Sequence, residues 1–112
     1  MAPTTVDPQR FAVIARVVNK WDPYGLLASG APPDEFHPEI RAIAWEIANV
    51  HSADAAVALV AKVYSAYFTP TDFPVERCRA VGLELFAELQ AAGLVDDQAE
   101  RTSKRAGTAP KR

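Results

Sequence analysis

The sequence predicts an all-α fold, a compact four-helix bundle with a long ordered loop between the first and second helices. Apolar residues recur at helical spacing in four segments, and proline, glycine or capping residues separate each segment from the next. No segment shows the alternation of apolar and polar residues that is typical of a strand. The connections after the second and third segments are short, which favours antiparallel packing of neighbouring helices.

The first helix is predicted to run from Pro8 to about Trp21. Asp7 is a good N-cap, and proline suits the first helical position. The helix is expected to end there because Asp22 precedes Pro23, and a residue before proline avoids the α region. Its apolar stripe consists of Phe11, Ile14, Ala15, Val18 and Trp21.

The chain from Asp22 to His37 forms the long loop of this prediction. Asp22 and Pro23 repeat the cap-and-proline signal, so a short helical turn is expected from Pro23 to Leu27. Asp34 is expected to open the region of the second helix. Long connections in a compact bundle carry function more often than short ones.

The second helix is predicted to begin at Pro38, and the third to run from Ala53 to Phe68 with Ser52 as its N-cap. The third helix is the most apolar segment, which predicts a central position in the bundle. The residues expected to face inward are Ile40, Ile43, Ala44 and Ile47 in the second helix, and Ala56, Leu59, Val60, Val63 and Tyr67 in the third.

The fourth helix is predicted to begin at Pro74, with Thr71 or Asp72 as its cap, and to end near Ala92. Gly93 stands where a glycine commonly ends a helix in the left-handed conformation. The residues expected to face inward are Val75, Cys78, Gly82, Leu85, Phe86 and Leu89.

The charge distribution separates a single helical domain, residues 1–96, from a basic tail, residues 97–112, that is predicted to be disordered. Residues 1–97 carry 13 of the 14 acids but only 7 of the 12 lysines and arginines, which gives −6 there and +4 in the remainder. An acidic body is a poor platform for nucleic acid, because phosphate contacts need a positive patch. It suits a basic protein partner.

The signals of membrane, metal and cofactor sites are absent from the sequence. No apolar run reaches the roughly 18 residues of a membrane span, and the N-terminus lacks the pattern of a secretory signal. Cys78 is the single cysteine, which fits a reducing cytoplasm and argues against a cysteine-based zinc site. His37 and His51 lack a metal-binding spacing, and no phosphate-binding or nucleophile motif occurs. We therefore expect no membrane segment, metal, cofactor or catalytic residue.

The acids of residues 21–40, Asp22, Asp34, Glu35 and Glu39, allow two interpretations. Paired carboxylates can act as acid and base or hold a metal ion, and His37 lies beside them. Asp22 and Asp34 also stand at cap positions, and the positive end of a helix dipole favours all of these carboxylates. For Asp22 and Asp34, the sequence favours capping or simple solvation over a site.

Aromatic residues outside the main stripes, Tyr24, Phe36 and Trp45, also allow two interpretations. They can pack the loop onto the bundle, or they can form an exposed anchor for a partner. The first interpretation is favoured because aromatic side chains at or near helices are more often part of the core.

The stretch WDPYGLL, followed after a short spacer by GAPPDEF, resembles a family of small uncharacterised bacterial helical domains. The family pattern is Trp-Asp-Pro-x-Gly-Leu-Leu, then Pro-x-Asp-Glu-aromatic at the start of the second helix. The resemblance covers about residues 21–43, and the sequence departs from the pattern at Phe36, where tyrosine is common. It implies a small helical protein, and some members look like immunity proteins that neutralise a toxin in bacterial competition.

We therefore expect a non-enzymatic protein-binding module in the cytoplasm, which the resemblance narrows to an immunity protein that covers a basic toxin domain. Two alternatives stay open: a small enzyme or metal-binding protein that uses the Asp22, Asp34 and Glu35 cluster, and a self-associating structural protein that uses the exposed side of the third helix. The oligomeric state does not follow from the sequence. The residues expected to bind the partner are Asp22, Tyr24, Asp34, Glu35, Phe36 and Glu39.

Overall fold

The computed structural model describes residues 7–95, and this range contains four α-helices and no strand. The prediction of an all-α fold is therefore confirmed for this part of the chain. The predicted basic tail and the predicted domain end at residue 96 lie outside the described residues. The helices are α1 (Pro8–Trp21), α2 (His37–Ile47), α3 (Ala53–Tyr67) and α4 (Val75–Ala91), with a short 3-10 turn, Pro23–Gly25, between α1 and α2.

The helices form a closed ring in which each packs against two others. α1 packs against α2 and α4, and α3 packs against the same two helices. The α1–α4 pair is antiparallel: Arg16 pairs with Glu88 and Lys20 pairs with Glu84, so the partner position falls as the position in α1 rises. The ends of α1 and α3 therefore lie at the same end of the bundle as the starts of α2 and α4.

The core is built from the predicted stripes, with two corrections. Tyr67 and Val75 were expected to face inward, but their side chains are 50% and 42% exposed. Tyr67 is the last residue of α3 and Val75 is the first residue of α4, so both lie where the helices reach beyond the core. The fully buried aliphatic side chains with the largest volumes are Ile14, Ile40, Ile43, Ile47, Leu85 and Leu89.

Most of the predicted helix boundaries are confirmed within two residues. The Asp7 carboxylate accepts a hydrogen bond from the backbone N–H of Gln9 at 3.3 Å, which caps α1. The Ser52 hydroxyl accepts one from the backbone N–H of Ala55 at 3.1 Å, which caps α3. The cap expected for α4 is wrong, because the N-cap residue is Pro74 and no side chain bonds to the first turn.

The end of α4 has the hydrogen bonds of a Schellman motif. Gly93 has φ +73°, a left-handed conformation in which glycine carries no Cβ penalty. Its N–H donates to the carbonyl of Gln90 at 3.0 Å, and the N–H of Leu94 donates to the carbonyl of Leu89 at 2.8 Å. The predicted role of Gly93 is therefore confirmed.

Candidate functional site

Six aromatic side chains meet at the end of the bundle where α1 and α3 finish and α2 and α4 begin, which we call the aromatic end. Tyr64 is at its centre: its ring centroid lies 5.1 Å from that of Phe73, 5.7 Å from that of Phe68 and 6.3 Å from that of Phe36. The contacts join three segments that are distant in sequence. The members of the cluster are Trp21, Tyr24, Phe36, Tyr64, Phe68 and Phe73.

Asp22 caps a helical turn, although a later one than the sequence predicts. Its carboxylate accepts hydrogen bonds from the backbone N–H groups of Leu27 at 2.8 Å and Ala28 at 3.0 Å. The turn ends at Gly30, which has φ +105°. The N–H of Gly30 donates to the Leu27 carbonyl, and the N–H of Ala31 donates to the Leu26 carbonyl. Both carboxylate oxygens of Asp22 are thus bonded to the backbone.

Tyr24 is half-exposed at the aromatic end on a strained backbone. Its φ is +66°, in the left-handed region that non-glycine residues occupy at a cost of roughly 1–2 kcal/mol. Its hydroxyl donates to the Asp72 carboxylate at 2.6 Å, and its ring makes edge contacts with Phe68 and Phe73 at 5.4 and 5.5 Å. The hydrogen bond to Asp72 raises the pKa of the Tyr24 hydroxyl above its ordinary value, because ionisation would break this bond, and the negative charge of Asp72 adds to the shift.

Arg77 lies over the same aromatic surface. Its guanidinium carbon is 4.5 Å from the ring centroid of Phe73 and 5.5 Å from that of Tyr24, within the range of a cation–π interaction. One of its N–H groups donates to the backbone carbonyl of Asp72 at 2.7 Å. The roles of Phe68, Asp72 and Arg77 did not follow from the sequence, because the signal was an ordinary helix break at residues 69–74 and nothing placed that break beside Tyr24.

The six residues predicted to bind a partner divide into exposed and buried sets. Asp34 is exposed, Glu35 is half-buried, and Tyr24 is 45% exposed. Phe36 is 0% exposed and Glu39 is 6% exposed, so neither offers its side chain to a partner in this conformation. Phe36 anchors the loop in the core, as the favoured interpretation of the aromatic residues predicts.

Asp34 is exposed to solvent and does not cap α2, so solvation and not capping is the part of its prediction that holds. The backbone carbonyl of Asp34 accepts a hydrogen bond from the N–H of His37 at 3.0 Å, whereas the N-cap of α2 is Phe36 and no side chain bonds there. His37 is half-buried and its ring makes an edge contact with Phe11 at 5.2 Å. The Asp34 carboxylate is left to solvent.

Glu39, Tyr64 and Cys78 bring three ionisable groups into the core from α2, α3 and α4. One carboxylate oxygen of Glu39 and the hydroxyl of Tyr64 are buried without a hydrogen-bond partner among the described residues. Burial raises the pKa of Glu39, and the nearby charge of Glu35 raises it further. Burial also raises the pKa values of Tyr64 and Cys78, and the Glu39 charge adds to the shift of Tyr64.

The burial of Glu39 had a simple sequence signal. Phe36, Glu39, Ile40 and Ile43 follow the spacing i, i+3, i+4, i+7, so Glu39 belongs to the inward stripe of α2. A protonated carboxyl or a bound water molecule can satisfy such atoms, but an ionised carboxylate there has no cation beside it among residues 7–95.

The metal-binding alternative gains no geometric support from this end of the bundle. Within residues 7–95, no three side chains of His, Cys, Asp or Glu lie close enough together to hold a metal ion. Both Asp22 oxygens are bonded to backbone N–H groups, which removes one member of the proposed Asp22, Asp34 and Glu35 cluster.

A shallow cleft of about 160 Å³ lies at the opposite end of the bundle. Arg10 lines it, but the guanidinium is bonded to the Asp7 carboxylate and to the Leu94 carbonyl. The predicted partner-binding residues do not line this cleft. In the described range, no helix combines the length and apolar character needed to cross a bilayer.

Comparison with known proteins adds no family to these observations. No family model matches the chain, and searches of curated proteins and of solved structures likewise return no match. The resemblance of residues 21–43 to small bacterial helical domains therefore stays a prediction based on the motif.

Proposed function

We propose that the protein is a non-enzymatic protein-binding module whose aromatic end covers a basic surface of its partner. The observation that carries this proposal is the distribution of unpaired charge. Residues 7–95 contain eleven acids and seven lysines or arginines, and four ion pairs use four of each. Seven acids and three arginines therefore make no ion pair within the described range.

Six of these seven acids belong to segments at the aromatic end: Glu39, which is buried, and Asp22, Asp34, Glu35, Asp72 and Glu76, which are at least partly exposed. The remaining acid, Asp54, lies at the start of α3, at the opposite end. The three arginines, Arg41, Arg77 and Arg79, lie in the first two turns of α2 and α4, so acids exceed cations here. Exposed unpaired carboxylates steer a basic partner toward this end and select against acidic ones.

The exposed rings beside these carboxylates supply the other half of an interface. Aromatic side chains anchor protein interfaces because they bury a large area with few rotatable bonds. Tyr24 and Phe68 are both exposed and in contact with each other. An immunity protein that occludes a basic toxin domain is the specific form of this function that the motif resemblance implies.

The experiment uses the purified product of the neighbouring gene as the candidate partner, with binding measured by calorimetry. Asp34→Ala is expected to weaken binding and to reduce its dependence on salt, because an exposed carboxylate at the aromatic end is lost. Asp54→Ala is the matched control, since it removes an exposed acid from the opposite end. Equal effects of the two variants, or no effect of Asp34→Ala, would refute the proposed surface.

A further inference from the structure

We infer that the exposed Tyr24, Phe68 and Asp72, together with the buried Phe73 ring that Arg77 covers, form an arginine-binding surface, which Arg77 occupies in the free protein and an arginine of the partner occupies in the complex. This inference rests on the proposed function and names the chemical group that the aromatic end recognises. We call these four residues the cation surface.

The cation surface combines ring faces with acceptor oxygens. A guanidinium is attracted to the negative face of an aromatic ring, and its N–H groups donate hydrogen bonds in the plane of the group to oxygens beside the ring. Arg77 makes both interactions, with its guanidinium carbon 4.5 Å from the Phe73 ring centroid and an N–H group 2.7 Å from the Asp72 carbonyl oxygen. The surface thus already holds the group that it is proposed to recognise.

Arg77 is held in a way that permits exchange. Its side chain is exposed, and its hydrogen bond within the described range goes to a backbone carbonyl and not to a carboxylate. No ion pair links it to an acid of residues 7–95. An arginine of the partner that also reached the Asp72 carboxylate would gain a charge-assisted bond that Arg77 does not make.

The backbone of Tyr24 supports a surface role for this residue. A φ of +66° strains any side chain, and such strain persists where the surroundings hold it, often at ligand-binding positions. Core packing does not account for it, since the Tyr24 ring is half-exposed. The strain, together with the hydrogen bond to Asp72, holds the ring edge-on against Phe68 and leaves part of it open to solvent.

The test measures binding of a fluorescent hexa-arginine peptide to the full chain by anisotropy. Arg77→Gln removes the internal competitor and is expected to tighten binding about three- to fivefold, as for one exposed cation–π contact. Arg79→Gln is the matched control, because it removes the same charge from an exposed position two residues away. It is expected to produce a smaller gain.

Adding Tyr24→Leu to Arg77→Gln is expected to abolish the gain in peptide affinity that Arg77→Gln shows beyond Arg79→Gln. If Tyr24→Leu lowers the helicity of the protein, Phe68→Leu replaces it in this test. Equal gains from Arg77→Gln and Arg79→Gln, or a gain that survives both ring substitutions, would overturn the inference. Concentration-dependent dimerisation of Arg77→Gln in the ultracentrifuge would also overturn it, because the occupant would then be a second copy.

These outcomes are distinct from failure of the proposed function. Peptide binding that responds to Asp34→Ala but ignores the ring substitutions leaves the basic-partner proposal standing and removes the cation surface. Peptide binding that ignores both the acids and the rings removes both proposals.

Discussion

Replacement of Gly82 by alanine is expected to destabilise the protein, although alanine is the better helix former. Gly82 lies in α4 where it crosses α3, and a Cβ placed there would be 2.6 Å from the Cα of Val57, 2.7 Å from its Cγ2 and 3.0 Å from its backbone nitrogen. Favourable contacts between carbon atoms lie at about 3.5–4.0 Å. The helices must therefore move apart locally by roughly 1 Å.

The magnitude follows from two opposing terms. Alanine stabilises an exposed helix interior by about 1 kcal/mol relative to glycine. Overpacking a close contact costs about 1–3 kcal/mol, and the upper part of that range applies because two of the three clashing atoms belong to the backbone and cannot rotate away. The net expectation is a loss of about 2 kcal/mol, which lowers the Tm of a domain of this size by roughly 8–16 °C.

The assay is urea unfolding followed by circular dichroism, with the free energy of unfolding obtained by linear extrapolation. The control is Ala80→Gly, an exposed position of the same helix, which measures helix propensity alone and is expected to cost about 1 kcal/mol. If Gly82→Ala leaves the free energy of unfolding unchanged or raises it, then α3 and α4 are not packed as closely as this distance requires.

Three further predictions concern buried or capping groups. The raised pKa of Glu39 means that its contribution to stability is fully present below the ordinary glutamate pKa and is lost as the pH rises through the raised value. Glu39→Gln is therefore expected to increase the free energy of unfolding by an amount that grows with pH, and a pH-independent difference would contradict this. Asp22→Ala is expected to lower the free energy of unfolding by about 1–2 kcal/mol, because two backbone N–H groups lose their acceptor, and Asp22→Asn, which keeps one acceptor oxygen, should lower it less. Similar losses for the two variants would argue against the cap. Burial and the raised pKa of the Cys78 thiol predict that iodoacetamide modifies it only as fast as the protein unfolds, and rapid alkylation of the native chain would exclude this packing.

The helices were predictable because their signals are local. Asp7 and Ser52 cap helices whose starts the sequence places correctly, and Gly93 ends α4 as its position indicates. Each signal depends on hydrogen bonds within about six residues, which a sequence window contains. The predictions that Tyr67 and Val75 face inward were wrong, because a periodic pattern gives the face of a helix but not how far the core extends along it.

The candidate site was only half predictable. The WDPYGLL and PPDEF segments contain five of the six residues predicted to bind a partner, and all six lie at or beneath one end of the bundle. The composition of these segments did not predict which of the six residues are buried. Phe36 looks like a loop residue, and Glu39 looks like an exposed acid of the first helical turn. Their burial follows only when the stripe of α2 is extended back to position 36, across the proline at position 38.

Local sequence signals account for the four amphipathic segments, for the caps at Asp7, Ser52 and Gly93, and for the excess of acids over cations before residue 98. Helix packing brings Tyr24 to Asp72, 48 residues away, and places Arg77 over the rings of Tyr24 and Phe73. The physical reason is that propensity, capping and charge are properties of neighbouring residues, whereas the cation surface exists only once α1, α3 and α4 are packed around Tyr64 and Phe73. Contacts between residues that are far apart in the sequence depend on how the helices pack, and the spacing of apolar residues within one segment does not specify that packing.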